Sequence, residues 1–271
     1  MNNANTYIDQ MLVSQPLMEP TIRSAIQTLQ LPPGSHGLDA GCGIGLQSIL
    51  LANAVDPDGR VTSLDVSTEF LSCGENLVKE AGLAERISFK EGNVRKLPFE
   101  NDTFDWAWSS FCIGYAASIE PLQALRELAR VVHVGGDVAI FAWTSEKLIP
   151  GHPSLEAHLA ATSSGLAPFV KGKEPASHYM RALGWFQKLG FENIQAKTFT
   201  GDASAPLRDD IYNALVALFE MRWPGVESEL KQVEWEEYQR FCFPDSPEFI
   251  LNNPDYCAFY TCTMFWGKVA K

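Results

Sequence analysis

The residues best suited to chemistry lie in a glycine-rich stretch, Asp39-Ala-Gly41-Cys-Gly43-Ile-Gly45. A strand-like segment precedes this stretch and a helix-like segment follows it. Glycines at such a junction let a ligand approach the backbone, and the helix N-terminus adds N–H donors and partial positive charge. Asp65 ends the next predicted strand, where a carboxylate can accept hydrogen bonds from both hydroxyls of a ribose. The pattern predicts a ligand-binding loop; the alternative is a tight turn near a solvated aspartate.

The spacing of the glycines shows whether this stretch has the fingerprint of a dinucleotide-binding loop. A dinucleotide-binding fingerprint reads GxGxxG or GxGxxA. Counted from Gly41, the sixth position is Leu46, which is neither glycine nor alanine. The stretch has the spacing DxGxGxG instead. This disfavours a nicotinamide-dependent oxidoreductase, which is one alternative for such a loop.

Four later features favour a binding loop over a simple turn. Asn93 follows the third predicted strand, where an amide can meet an adenine edge. Leu97-Pro98-Phe99 leads into Asp102-Thr103-Phe104-Asp105, and Leu128 to Gly136 precedes the fifth predicted strand. The order and spacing of these pieces agree with one another.

The elements that position these residues alternate regularly between 36 and 143. Strand-like segments are predicted at 36–40, 60–65, 86–90, 103–108 and 137–143. Helices are predicted at 45–54, between Ser67 and Gly82, and at 120–133. Such alternation predicts a doubly wound α/β sheet covered by helices.

Outside 36–143, strands and helices are not predicted to alternate in this regular way. Residues 1–35 are predicted to form an N-terminal helical segment, and 256–270 a final strand. Two long insertions, 145–177 and 203–252, surround a predicted helix at 178–189 and a strand at 191–200. Loops this long inside a compact domain are usually functional. We therefore interpret the insertions as a lid, and the 271 residues as a single domain.

As a set, the motifs resemble those of class I S-adenosylmethionine-dependent methyltransferases. The similarity is to the subgroup that includes the ubiquinone and menaquinone biosynthesis methyltransferases, which carry a type 11-like methyltransferase domain. It covers about 36–143, the expected cofactor-binding core, and Tyr260 to Lys268 resembles the last strand of such proteins. The resemblance implies a seven-stranded, mostly parallel Rossmann-like sheet of order 3-2-1-4-5-7-6 with the last strand antiparallel. It also implies S-adenosylmethionine as the cofactor, bound across the strand C-termini.

The resemblance also implies a role for individual residues. Asp39 and the backbone of Gly41 and Gly43 are expected to hold the methionine part. The other expected cofactor contacts are Asp65 at the ribose, Val66 on the adenine face, Asn93 and Val94 at the adenine edge, and Ser109 near the methionine end. Asn93 replaces the aspartate usual in the family, but it still offers an amide oxygen to the adenine amino group.

The expected chemistry demands little from catalytic side chains. The methyl group of a sulfonium is already activated, so the main task is to hold an acceptor in line with it. No cluster of His, Cys and Asp has metal-ligand spacing, and His152 and His158 are six residues apart, which does not place them on one helix face. We expect neither a metal nor a covalent intermediate, and the pattern assigns no catalytic residue.

Aromatic residues give the best indication of the acceptor. The candidates for an acceptor pocket are Phe111, Tyr115, Trp143, Trp223 and Phe243. Such residues suit a pocket that buries an apolar ligand, and they attract a sulfonium by cation–π interactions. The expected partner is a small, largely apolar or aromatic molecule. The alternative is that the aromatic residues of the lid only complete the core.

Composition excludes several other classes of partner. The chain has 33 acidic and 21 basic residues, a net charge of −12, which disfavours nucleic acid. No apolar run reaches the roughly 20 residues of a membrane helix. The polar N-terminus and six scattered cysteines without a CxxC pair favour a cytoplasmic location. Two alternatives remain open: a non-catalytic, regulatory S-adenosylmethionine-binding module and a protein or RNA methyltransferase.

Overall fold

The computed structural model describes residues 3–114, 120–167 and 174–270. Its centre is a seven-stranded sheet in the order β3-β2-β1-β4-β5-β7-β6. The strands are β1 His36–Ala40, β2 Arg60–Asp65, β3 Ile87–Glu91, β4 Phe104–Ser110, β5 Val132–Lys147, β6 Glu192–Ser204 and β7 Cys257–Lys268. Strand β7 runs antiparallel to β5 and β6, and the other pairs are parallel. The expected sheet order and the antiparallel last strand are confirmed.

Helices cover both faces of the sheet. They are α1 Asn3–Leu29, α2 Leu46–Ala54, α3 Thr68–Glu80, α4 Pro121–Val131, α5 Pro153–Ala161, α6 Ser163–Leu166, α7 Ala182–Lys188, α8 Asp209–Arg222 and α9 Gln232–Cys242. In the part of the chain that the structure describes, no helix is both long and apolar enough to cross a membrane.

Two predicted boundaries were wrong. Strand β5 does not begin at Asp137: it starts directly after α4 and extends to Lys147, because β7 continues to pair with it past Trp143. Within the insertion 203–252 the sequence pattern predicts a helix at 226–241, but helix α9 begins only at Gln232, after a short 3-10 turn at Val226–Ser228. The N–H of Lys231 donates to the Glu234 carboxylate at 2.9 Å, and this cap marks the start of α9.

The central strands are buried on both faces, as parallel strands usually are. Alternate residues of β4 point to opposite sides: Trp106 and Trp108 pack toward α1 and α2, and Ala107 packs toward α4. A Cβ on Gly37 would overlap the Trp106 ring, so β1 needs glycine there. The Trp108 indole donates to Gln47 Oε1 at 2.8 Å, which fixes the start of α2 over the sheet.

The two insertions pack on one another. His152 Nδ1 lies 2.9 Å from Glu237 Oε1, and His158 Nδ1 lies 2.6 Å from Glu234 Oε1. These pairs connect the segment around α5 with α9. Side chains that the sequence places in two separate insertions are therefore neighbours in the fold.

Candidate cofactor and acceptor site

The glycine loop lies at the edge of the sheet where parallel strands β1, β2 and β4 end. Asp39 aligns with Ser63 of β2 and with Trp108 of β4, so the residues that follow all three strands lie close together. The N–H groups of Gly41 and Cys42 both donate to Leu64 O, at 2.7 and 3.0 Å. This is the position at which open α/β sheets bind ligands.

The glycines of the loop are required by its backbone. Gly41, Gly43 and Gly45 have φ angles of 79°, 55° and 75°, in the left-handed region that residues with a Cβ rarely adopt. A Cβ on Gly41 would lie 2.5 Å from Cys112 Sγ, so the loop also packs tightly against the segment after β4. Gly45 is the N-cap of α2, and the N-terminus of that helix therefore faces the loop.

Asp65 connects the end of β2 to the glycine loop. Its Oδ2 accepts a hydrogen bond from the Gly43 N–H, and its Oδ1 accepts one from the Ser67 N–H, both at 3.0 Å. The side chain is half-buried. An ionised carboxylate has about four acceptor sites, so two remain for a ligand. Two backbone N–H groups therefore fix the orientation of the Asp65 carboxylate.

Asp39 is fully buried beneath the loop. Its Oδ2 accepts a hydrogen bond from Ser48 Oγ at 2.7 Å, and Ser48 Oγ accepts one from Ser63 Oγ at 2.7 Å. Oδ1 has no partner in the described structure. Burial raises the pKa of this carboxyl to about 7; the Ser48 hydrogen bond opposes the shift and the Asp65 charge adds to it. A buried acceptor without a donor is costly, and the ammonium group of a methionine moiety would supply the donor.

Sequence reasoning missed Ser48 and Ser63. Ser48 lies in the first turn of α2, and Ser63 lies on the strand next to Asp39. In the sequence alone, three polar residues close to a glycine-rich loop give only a weak signal. Only the fold shows that the three form one chain of hydrogen bonds.

The expected adenine contacts are differently exposed. The Val66 side chain is 63% exposed and free to take an adenine face. Val94 is buried in the core, so its side chain packs within the protein. Asn93 Oδ1 accepts a hydrogen bond from the Arg95 N–H at 2.9 Å, so the amide oxygen already shapes the turn after β3.

Ser109, near the end of β4, and Cys112, just after β4, lie against the end of β1 and the loop that follows it. Ser109 is buried, and its hydroxyl donates to Ala40 O at 2.8 Å, so its proton is already engaged. Burial raises the pKa of Cys112 to about 12, with smaller effects from Ser109 and from the charges of Asp65 and Asp39. Cys112 is therefore a neutral thiol that packs on Gly41 rather than a nucleophile.

Two of the acceptor candidates, Phe111 and Trp143, contact different aromatic neighbours. Phe111 has a left-handed φ of 49°, and its ring meets Phe141 edge-on at 5.8 Å. Trp143 stacks on Tyr260 at 4.4 Å, and its indole donates to Glu146. Tyr115 lies outside the described residues. A non-glycine residue with positive φ at the end of β4 is a strained position of the kind that occurs at functional sites.

The lid candidates belong to one aromatic group. Trp223 meets Tyr238 edge-on at 6.1 Å, and Phe243 meets the same ring at 5.8 Å. Trp223 is 4% exposed, whereas Phe243 is 40% exposed. Trp223 Nε1 is buried without a partner in the structure described. Tyr238 thus joins the two candidates, but they differ sharply in burial.

An ion pair connects this group to β5. Arg222 Nε donates to Glu146 Oε1 at 2.7 Å, and its guanidinium lies 5.6 Å from the Trp223 ring centroid. Both charged side chains are largely buried, at 17% and 11% exposure. Because Glu146 also accepts from Trp143, the pair links both halves of the candidate acceptor region. Sequence reasoning missed Arg222 and Glu146, which are distant in sequence.

Comparison with known proteins identifies the family. Residues 38–136 match the model of a methyltransferase domain. The chain is 33% identical over 195 residues to a demethylmenaquinone methyltransferase of Bacillus cytotoxicus and 35% identical over 195 residues to one of Listeria monocytogenes. Each match covers 68% of this chain and 81% of the relative.

A solved structure supports the fold. The SAM-dependent methyltransferase from Aquifex aeolicus matches with a TM-score of 0.52 and 16% identity, and the match covers 97% of this chain and 99% of that one. The sequence motifs, the sheet order and the curated relatives agree. The chain belongs to the class I S-adenosylmethionine-dependent methyltransferases, and S-adenosylmethionine is its cofactor.

Proposed function

We propose that this enzyme methylates a small, largely apolar or aromatic acceptor, and that the acceptor is a demethylmenaquinone-type quinol. The observation that carries the proposal is the aromatic group of the lid, Trp223, Tyr238 and Phe243, joined to β5 by the Arg222–Glu146 pair. Aromatic walls suit a ligand that is itself flat and apolar. The relatives named demethylmenaquinone methyltransferase support the same acceptor class.

The proposed cofactor site uses the groups at the ends of β1, β2 and β3. Asp39 Oδ1 would accept from the ammonium of the methionine part, and the Gly41–Gly43 backbone would lie against that part. Asp65 would hold the ribose through its two remaining acceptor sites. At the far end, Val66 would cover the adenine face, and Asn93 with the Val94 backbone would meet the adenine edge. Ser109 would act indirectly, since its hydroxyl holds β4 on Ala40.

The cofactor supplies a methyl group on a positively charged sulfur, which is already activated for transfer. The protein then has to orient the acceptor and exclude water, because in-line displacement depends on the alignment of the reacting atoms. Phe111, held at the end of β4 by its N–H bond to Phe141 O at 2.8 Å, lies where it can define one wall. Trp143 would define another, since Tyr260 and Glu146 fix its ring.

The two insertions would act as one lid over a single methyltransferase domain. Segments 145–177 and 203–252 begin within the last residues of β5 and β6 and continue past them, at the edge where the cofactor would bind. The His152–Glu237 and His158–Glu234 pairs would hold them together. A net charge of −12 argues against an RNA partner, whose phosphates need basic neutralisation.

Release of S-adenosylhomocysteine measures this activity directly. The purified protein is incubated with S-adenosylmethionine and a short-chain demethylmenaquinol under reducing conditions, and the methylated product is identified by mass spectrometry. Amines, thiols, total RNA and denatured protein are tested in parallel. The proposal expects turnover on the quinol, and a strongly raised KM for S-adenosylmethionine with Asp65→Ala.

Other outcomes would favour the alternatives. Turnover on RNA or protein alone would contradict a small-molecule acceptor. Tight binding of S-adenosylmethionine with no turnover on any acceptor class would favour a regulatory binding module.

A further inference from the structure

Helix α1 consists of two parts that differ in burial. From Leu17 onward, one face is fully buried: Leu17, Thr21, Ile22, Ala25, Ile26 and Leu29. From residue 6 to Pro16, no side chain is fully buried. Since local stability follows buried contacts, the first part is much the easier one to displace.

The second part of α1 is anchored in the core. The Tyr260 hydroxyl donates to Leu17 O at 2.7 Å and lies 3.0 Å from Thr21 Oγ1. Tyr260 belongs to β7, in the middle of the sheet's antiparallel half. This anchor fixes α1 from Leu17 onward to the sheet.

Two prolines lie where the parts meet. Pro16 and Pro20 are both inside the helix. Proline has no N–H, so the carbonyls of Leu12 and Pro16 lose their usual helical donors, and the helix is weakened at this point. The weak point coincides with the change in burial.

The first part of α1 lies over the cofactor loop. Met11 Sδ is 3.5 Å from the position that a Cβ on Gly43 would occupy. The Tyr7 ring stacks on Phe70, in the first turn of α3, with centroids 5.8 Å apart. Tyr7 as a whole is 52% exposed. Partial desolvation of its hydroxyl raises the pKa of Tyr7, and the negative charge of Asp65 adds to this rise. Tyr7 and Met11 are four residues apart and share one helix face.

We propose that residues 3–16 form a gate for the cofactor, hinged at Pro16–Pro20, with Tyr7 and Met11 as its contact residues. This inference rests on the proposed cofactor site at the glycine loop and Asp65. A cofactor held between that loop and α1 must pass the helix to enter and leave. The anchored part stays in place, while the loosely packed part opens and closes.

The first test measures cofactor kinetics in the full-length protein. Binding and release of S-adenosylhomocysteine are followed by stopped-flow tryptophan fluorescence. Tyr7→Ala and Met11→Ala each raise the release rate about tenfold, because contact losses act mainly on dissociation. Val13→Ala is the matched control: it lies in the same part of α1 and is 40% exposed, and its rates stay at wild-type values.

The second test changes the hinge and not the contacts. Pro16→Ala and Pro20→Ala restore the missing N–H groups and stiffen the helix. Association and release should both slow by about threefold or more, with an unchanged Kd, because a stiffer gate slows passage in both directions. A purely structural role for the prolines would change the Tm and leave both rates alone.

Amide hydrogen exchange supplies an independent readout. Saturating S-adenosylhomocysteine should slow exchange of the peptide covering residues 6–16. Unchanged exchange together with wild-type kinetics in all four variants would overturn the gate while the wild type still binds the ligand. Failure of the wild type to bind S-adenosylhomocysteine at all would instead overturn the proposed cofactor site and the gate with it.

Discussion

The carboxylate of Asp65 accepts a 3.0 Å hydrogen bond from the Gly43 N–H, so the acid that ends β2 also shapes the loop after β1. One side chain thereby orients two parts of the proposed cofactor site. Its loss is expected to affect both the ribose contact and the shape of the loop.

Asp65→Ala should weaken S-adenosylmethionine binding by at least about 10- to 100-fold, since the loss of even one hydrogen bond to a charged group costs roughly 1.5–3 kcal/mol. Isothermal titration calorimetry measures the affinity. Asp58→Ala removes an exposed aspartate before β2 and is the matched control. Wild-type affinity in the Asp65 variant would contradict the assignment.

Gly43→Val should abolish cofactor binding. Its φ of 55° opposes a side chain, and the added atoms would also lie against Met11 of α1. Gly82→Val separates these two effects, because Gly82 has a φ of 72° but nothing within 4 Å of its Cβ position. The control should lose stability and keep its cofactor affinity; equal affinity loss in both variants would point to general unfolding.

Cofactor affinity should depend on pH through Asp39. Its pKa is raised to about 7, so the folded protein holds a proton there that the unfolded chain releases near its ordinary value of about 3.9. The stability contributed by this group is therefore complete below pH of about 4 and is lost as the pH rises through about 7.

The cofactor reverses that trend, because an ammonium group favours the carboxylate. Affinity for S-adenosylhomocysteine should rise as the pH approaches about 7 and then level off. Ser48→Ala removes the hydrogen bond that lowers this pKa, so the midpoint should move to higher pH. Calorimetry across the pH range tests both shifts, and an unchanged profile in Asp39→Asn would refute the assignment to Asp39.

Trp223→Ala and Phe243→Ala should behave differently despite their shared neighbour Tyr238. Because Trp223 is buried, its replacement by alanine should lower the free energy of unfolding by about 3–5 kcal/mol. Because Phe243 is 40% exposed, Phe243→Ala should leave the Tm nearly unchanged but raise the KM for the acceptor. Phe259→Ala, at 43% exposure on β7, is the control. Full activity in Phe243→Ala would place the acceptor elsewhere.

Metal chelation should leave turnover unchanged. Across the described ranges, no three His, Cys, Asp or Glu side chains are grouped to hold a metal ion. Activity with the identified acceptor is measured before and after EDTA treatment and gel filtration. Loss of activity that added metal restores would contradict this expectation.

The strands, the glycine loop and Asp65 were predictable from sequence because their signals are local. Alternating strand and helix patterns, and glycines at a strand–helix junction, depend on neighbouring residues and on backbone sterics. Family resemblance added the sheet order, which local patterns do not contain. The long β5 escaped prediction because its end is stabilised by pairing with β7, more than a hundred residues away.

The electrostatics and enclosure of the site were decided by tertiary structure. The raised pKa of Asp39 depends on its complete burial, and its Ser63–Ser48 chain joins a strand and a helix that only the fold brings together. The same is true of Met11 over Gly43 and of Arg222 beside Glu146. Residue type alone made Trp223 and Phe243 equal candidates for the acceptor pocket. The fold buries Trp223 and leaves Phe243 exposed. Burial and side-chain pairing depend on contacts between residues that are distant in the chain. Their effects on pKa and on the enclosure of the site therefore arise only once the chain has folded.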